Sequence, residues 1–195
     1  MMTSRTPRLR ADAARNRAAI LEATAALLAE SGADAVSMER VAAAAGVGKG
    51  TVFHHFGSRA GLLYELIAEG ALTLRDAVAD GPPPLGPGAP ATERLPAFVD
   101  AMLDLVTDNV ELVAAYSAMP PHPDSEEFHA FWAAHLTALL REARPDLDAD
   151  TMAALLLSTI GGSLTQQMAR AGRTDRVRAS LRALVDALLA DAKPD

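Results

Sequence analysis

The chain contains no cysteine. That excludes disulfides, thiolate metal sites and cysteine nucleophiles together, and it fits a reducing compartment. Aromatic residues make up only 4% of the sequence, with a single tryptophan. Alternating runs of β-branched residues are missing, so nothing reads as a half-buried strand. Apolar stretches are broken by charge or glycine well short of a membrane span. The N-terminus, "MMTSRTPRLRADAARNR", is basic, but no apolar core follows it as a secretory signal requires. These absences predict a soluble, cytoplasmic, all-helical protein with no membrane partner.

What is present is a substantial apolar fraction, 50% of 195 residues, enough for one large domain or two small ones. Charge is unevenly spread. Residues 1–60 hold eight basic side chains against five acidic ones, a net +3, which leaves −10 of the overall −7 to the rest. A basic head on an acidic body points to a head that meets an anion, and nucleic acid is the commonest large one.

Helical periodicity runs through most of the chain. Residues 1–14 read as a flexible basic arm. Ile20, Ala23, Leu27 and Leu28 then mark one face of a helix that stops near Gly32. Ser37 is placed to cap a short helix, "MERVAAAA", which Gly46 ends. A second short helix, "KGTVFHHF", follows, and Gly57 and Ser58 restart the chain into a long helix over 59–78. The segment "DGPPPLGPGAPAT" (80–92) is too rich in proline and glycine for helix and reads as a mobile loop. Further helices are predicted over 92–108, 110–119, 125–143, 148–171 and 175–192.

The stretch "GVGKGTVFHHFGSR" (46–59) admits three chemistries. The first is a phosphate loop of a P-loop phosphotransferase. Ala43 stands where that motif needs glycine and Gly50 where it needs Ser or Thr, and the preceding segment reads as helix rather than buried strand. The second is a metal site. Adjacent helical residues point about 100° apart, so His54 and His55 cannot easily grip one ion. The third is a helix-turn-helix. Val52 and Phe56, one turn apart, pack inward; Lys49, Thr51, Phe53 and His54 spread over the remaining surface, where they suit base edges, thymine methyls and phosphates.

The segment "VSMERVAAAAGVGKGTVFHHFGSRAGLLYELI" resembles the DNA-binding half of a tetracycline-repressor (TetR) family transcription regulator, through "AAAAGV", "GTVFHHF" and "SRAGLL". The resemblance covers about residues 15–68. It implies a helix-turn-helix domain over 1–60 and a helical ligand-binding and dimerisation domain over 61–195. It places Gly48, Lys49, Thr51, Phe53 and His54 toward the major groove and assigns phosphate contacts to Ser37 and Arg59. His55 either touches a phosphate or packs; Arg15 and Arg17 either reach phosphates or are solvated. Phe53 replaces the commoner tyrosine and loses its hydroxyl, while Arg59 replaces the usual lysine and keeps its charge. The function implied is a ligand-responsive regulator, a repressor, acting on palindromic double-stranded DNA. No enzyme chemistry competes with it, and neither cofactor nor metal is called for. A helical interaction module that does not bind DNA is the remaining alternative.

In the acidic body, Phe128, Phe131, Trp132, His135 and Leu139 share one helical face. Tyr116, Trp132 and His135 bring polar tips into apolar surroundings, and Met102 and Met119 offer adaptable walls. With Phe98 and Gln167 they form the expected inducer pocket, for an apolar or amphipathic small molecule. Two apolar stripes, Leu155, Leu156, Ile160, Leu164 and Met168, and Val177, Leu181, Leu184, Leu188 and Leu189, suit a four-helix homodimer interface, with Gly161 and Gly162 allowing close approach.

Overall fold

The computed structural model describes residues 5–123 and 125–190, with backbone alone for 5–11. Every regular element among them is helical: α1 (Arg5–Ser31), a 3-10 turn (Ala33–Ala35), α2 (Met38–Ala44), α3 (Lys49–Phe56), α4 (Arg59–Asp80), α5 (Ala91–Asp108), α6 (Val110–Ser117), α7 (Ser125–Ala143), α8 (Ala149–Gly161), α9 (Ser163–Arg170) and α10 (Thr174–Ala190). The all-α expectation holds. The start of the first helix differs from expectation. Residues 5–14, read as part of a flexible arm, are helical and open α1; residues 1–4 lie outside the described residues, as do 191 and 192 of the last predicted helix.

The chain forms two compact units. The first runs through Ala68 and takes in Glu111–His122; the second comprises Glu69–Val110 and 123 onward. In the first unit, Ile20, Val36, Val41, Val52 and Leu62 are essentially inaccessible and make one core with Met38, Phe56, Leu63 and Leu112. They come from five helices and the turn before α2. This core accounts for the short helices, which are too short to hold their shape without a packed apolar face.

Local signals fix the helix ends. The Ser37 hydroxyl accepts from the Arg40 N–H at 3.2 Å and caps α2. Gly46, at φ 66°, closes that helix. Its own N–H donates to Ala43 and the Val47 N–H donates back to Ala42, the paired bonds of a glycine-terminated helix. Ser58 caps α4 by accepting from the Gly61 N–H at 3.1 Å. Gly61 is a steric requirement: a Cβ there would sit 2.2 Å from the Phe56 carbonyl oxygen.

The second unit is built on α5, α7, α8 and α10. Leu95, Phe98, Val99 and Leu103 of α5 are buried together with Leu136 and Leu140 of α7, Ile160 of α8, and Leu181 and Val185 of α10. The Glu142 carboxylate accepts from the Ala91 N–H and caps α5 from α7. Arg178 and Arg182 of α10 both bind Asp100 of α5.

Residues 148–171 are not one helix. The backbone is extended at Gly162 (ψ 162°), and a Cβ there would meet the Ser158 carbonyl at 2.5 Å. The glycine pair thus interrupts the helix instead of letting two helices approach. The break resets the helical phase. Gln166, not the expected Gln167, is the buried glutamine, and its amide donates to the Gly161 carbonyl at 2.9 Å. Gln167 is exposed.

Candidate nucleic-acid interface

α3 is held by its inner face. Val52 is fully buried and Phe56 nearly so, one turn apart. The Ala45–Gly48 turn joins α2 to α3, so the two helices form a helix-turn-helix. Opposite Val52, the surface of α3 carries Lys49, Gly50, Phe53 and His54, all exposed, with Thr51 and His55 half-buried. Gly48 precedes α3 and has no side chain to cap it, so the first N–H groups of α3 receive no side-chain acceptor from that position. Phe53, 42% exposed on a short helix, is the unusual group. A large apolar ring is rarely left in water beside charged residues without a reason.

Two contacts organise this face. The Lys49 ammonium pairs with the Glu39 carboxylate of α2 and lies 5.5 Å from the Phe53 ring centre. The hydrogen bond from Lys49 holds the Glu39 carboxyl below the usual carboxylate range. The rings of His54 and His55 meet edge-on at 5.7 Å, and His55 lies 6.0 Å from Phe56. They diverge as adjacent helical residues should, and among the described residues no group of three metal-ligating side chains occurs.

Arg59 departs from expectation. Its Nε donates to the Val36 carbonyl and its Nη2 to the Ala33 carbonyl, each at 2.8 Å, and its Nη1 reaches the Met119 sulfur at 3.5 Å. All three nitrogens are committed inside the first unit. The side chain therefore satisfies the carbonyls of the turn before α2, a structural role beside the phosphate contact expected of it from the sequence. Arg17 is likewise engaged, paired with Glu65 of α4 and 6.0 Å from the Phe56 ring; Arg15 pairs with Asp12 at the surface.

The expected small-molecule residues are drawn from both units. Phe98, Met102 and Trp132 are buried in the second unit, with His135 half-buried beside them. The Phe98 ring lies 4.9 Å from His135 and 5.9 Å from Trp132, and Phe131 meets Trp132 edge-on at 4.9 Å. Tyr116 and Met119 instead pack on the core of the first unit. The Tyr116 hydroxyl accepts from the His122 N–H at 2.7 Å, and His122 stacks on Tyr64 at 4.7 Å. A proline-containing turn carries the chain from α6 back over α4, which periodicity within α6 does not reveal.

The residues 20–66 that build this helix-turn-helix match the model for the bacterial regulatory proteins, tetR family. Within that segment the chain carries a tetR-type DNA-binding domain. No curated protein matches it. Solved structures similar in fold cover nearly the whole chain. A transcriptional regulator from Rhodococcus sp. Rha1 is 22% identical, with a TM-score of 0.69 over 94% of this chain and 98% of the other. A TetR/AcrR-family regulator from Thermobifida fusca is 19% identical, with a TM-score of 0.64 over 91% and 98%. A TetR-family regulator from Thermus thermophilus is 23% identical, with a TM-score of 0.60 over 90% and 96%. The matched segment and the shared fold together support a DNA-binding transcriptional regulator. Among its described residues no helix is long and apolar enough to cross a membrane.

Two residues near the candidate sites were not singled out from the sequence. Glu39 reaches Lys49 only because the turn folds α3 against α2. Arg94 lies one turn before Phe98 on α5, so its i, i+4 spacing could have shown that it shares the face of the aromatic cluster.

Proposed function

We propose that this tetR-family protein is a homodimeric repressor that leaves a palindromic operator when a small apolar or amphipathic molecule binds its C-terminal body. The observation that carries the DNA side is the outer face of α3. Lys49, Phe53 and His54 stand exposed on a helix whose other face is locked by Val52 and Phe56. Such a helix is rigid and presents a cation, a ring and an imidazole together. Lys49 and His54 supply donors to base edges and phosphates; Thr51 and Phe53 supply apolar contact with thymine methyls. Ser37 and the uncapped N–H groups after Gly48 supply donors to phosphates. His55 is half-buried, which favours packing.

The dimer reading rests on apolar surface left outside. Leu155 (58%), Leu164 (69%) and Leu184 (60%) are exposed on α8, α9 and α10. Beside them lies a recess of ≈ 220 Å³ whose walls include Leu164, Met168, Val177 and Leu184. A second copy of the same surface is the self-complementary cover that twofold symmetry provides. The ligand reading rests on the Phe98, Trp132 and His135 cluster with Met102, where polar tips meet buried rings.

The test is selection of a duplex from random sequence by the purified protein, followed by binding of Thr51→Ala and His54→Ala. A palindromic consensus whose base preference shifts in these variants is expected. Recovery of no consensus, with equal binding to all duplexes, would contradict this function.

A further inference from the structure

Glycine is the weakest helix former after proline, so a glycine inside a helix needs a reason. Gly50, the second residue of α3, has none within the molecule. Its φ is not positive, so its backbone conformation does not call for glycine. A Cβ built on it would meet nothing within 4 Å. Gly61 differs, because there a Cβ would strike the Phe56 carbonyl oxygen at 2.2 Å and packing accounts for the glycine. What Gly50 leaves is bare helix surface, open to solvent on the outer face of α3. A glycine of this kind marks close approach of a partner to the backbone.

Its neighbours define what approaches. Phe53 and His54 follow Gly50 by three and four residues, so both stand on its side of the helix. Helical side chains lean toward the N-terminus, over the turn where Gly50 lies. Gly50 is therefore the floor of a notch, with an aromatic ring on one side and an imidazole on the other. Among the described residues, Phe53 is the one exposed large apolar side chain of the first unit; Leu72, Leu155, Leu164 and Leu184 all belong to the second. His54 is exposed, its ring edge-on to His55 at 5.7 Å. The Lys49 ammonium lies 5.5 Å from the Phe53 ring centre and gives this edge a cation for a phosphate strand.

An apolar wall beside a hydrogen-bond donor matches one base. In the major groove thymine presents a methyl group next to a carbonyl acceptor. Cytosine presents an amino donor and no methyl, and the purines present no methyl. We propose that each half-site places a thymine in this notch, its C5-methyl against the Phe53 ring above Gly50 and its O4 accepting from the His54 imidazole. Gly50 keeps open the space that the methyl group fills, while Lys49 holds a phosphate nearby. This inference rests on the DNA-reading role of α3 given above; it adds Gly50 to that face and names the base the face selects.

The test uses the full-length protein and the duplex it selects from random sequence. Each thymine of the half-site is replaced in turn by deoxyuridine, which lacks only the methyl group. One position should cost about fourfold in affinity per half-site, the worth of one buried methyl group. Gly50→Ala, which fills the notch, and Phe53→Ala, which removes its wall, should bind more weakly and no longer distinguish thymine from uracil there. Gly50→Ala should melt at or above the wild-type temperature, since alanine is the better helix former; a lowered melting temperature would show that this glycine serves the fold instead. At the same position the wild type should prefer thymine to 5-methylcytosine, which keeps the methyl and exchanges O4 for an amino donor. His54→Ala should lose that preference, and a preference it retains would overturn the O4 contact. A half-site without a methyl-sensitive thymine, or a thymine–uracil difference that survives in Gly50→Ala and Phe53→Ala, would overturn the notch. Continued preference for the selected palindrome over a scrambled duplex would then leave the role of α3 standing. If no consensus is selected at all, both fall.

Discussion

Glu39 in the first turn of α2 is ion-paired with Lys49 at the first position of α3. An acid thus stands on the face proposed to meet DNA and neutralises a cation there. On docking, Lys49 must exchange the carboxylate for a phosphate, and Glu39 is left facing a polyanion. Glu39→Gln should therefore strengthen binding to every duplex several-fold and steepen the salt dependence by about one unit of slope, because one more cation is free to displace counterions. Lys49→Ala should do the reverse. Affinity measured against salt concentration for both variants checks this; an unchanged slope in both would show that the pair is not at the interface.

Arg59 gives a second prediction. With two carbonyls of the turn before α2 as its partners, Arg59→Ala leaves the Val36 and Ala33 oxygens without their donors. The loss should be about 2–4 kcal/mol of stability, typical for removing charged hydrogen bonds from partly buried acceptors. Thermal unfolding without DNA is the readout, and Arg59→Lys should recover part of the loss. A wild-type melting temperature combined with weakened DNA binding would instead return Arg59 to a phosphate contact.

The dimer surface separates two kinds of leucine. Leu184 and Leu155 are exposed, while Leu181 is 2% exposed within its own protomer. Leu155→Glu with Leu184→Glu should yield a folded monomer that has lost tight operator binding. Leu181→Glu should unfold the second unit by burying a charge. Sedimentation with circular dichroism distinguishes these results; a double variant that stays dimeric would place the interface elsewhere.

His135 predicts an acid-side effect. Its folded pKa of about 4 lies below the 6.5 of an unperturbed imidazole, owing first to burial and then to Arg94. The unfolded chain therefore takes up the proton first as pH falls. Stability from this residue is fully present above pH 6.5, declines between 6.5 and about 4, and is level below. Denaturant unfolding at several pH values should show that decline in the wild type and a shallower one in His135→Gln. Parallel curves would contradict the neutral, buried imidazole.

Much of this architecture is legible in sequence because the determining signals are local. Ser37, Gly46 and the Val52/Phe56 spacing each act within one or two turns, and α7 begins and ends where periodicity puts it. What periodicity does not reveal arises where distant parts of the chain meet or where one residue resets the phase. Arg59 looks like a surface cation until the turn at 33–36 folds against it. Tyr116 and Met119 share periodicity with pocket residues, yet the return of the chain after α6 assigns them to the first unit. Gly162 shifts the register of everything after it, exchanging Gln167 for Gln166. The split of charge between head and body was visible from composition, but the Glu39–Lys49 pair, which trims that charge where it matters, needed the turn.

The central claim is that the outer face of α3 reads a specific duplex. Its most direct measurement is the affinity of the full-length protein for the selected palindrome and for a scrambled duplex of equal composition, at about 0.15 M salt, with Thr51→Ala and His54→Ala in parallel. The account predicts a preference of about 10³-fold or more for the palindrome, reduced in both variants chiefly through loss of discrimination. Equal affinity for the two duplexes, or an undiminished preference in both variants, would contradict it.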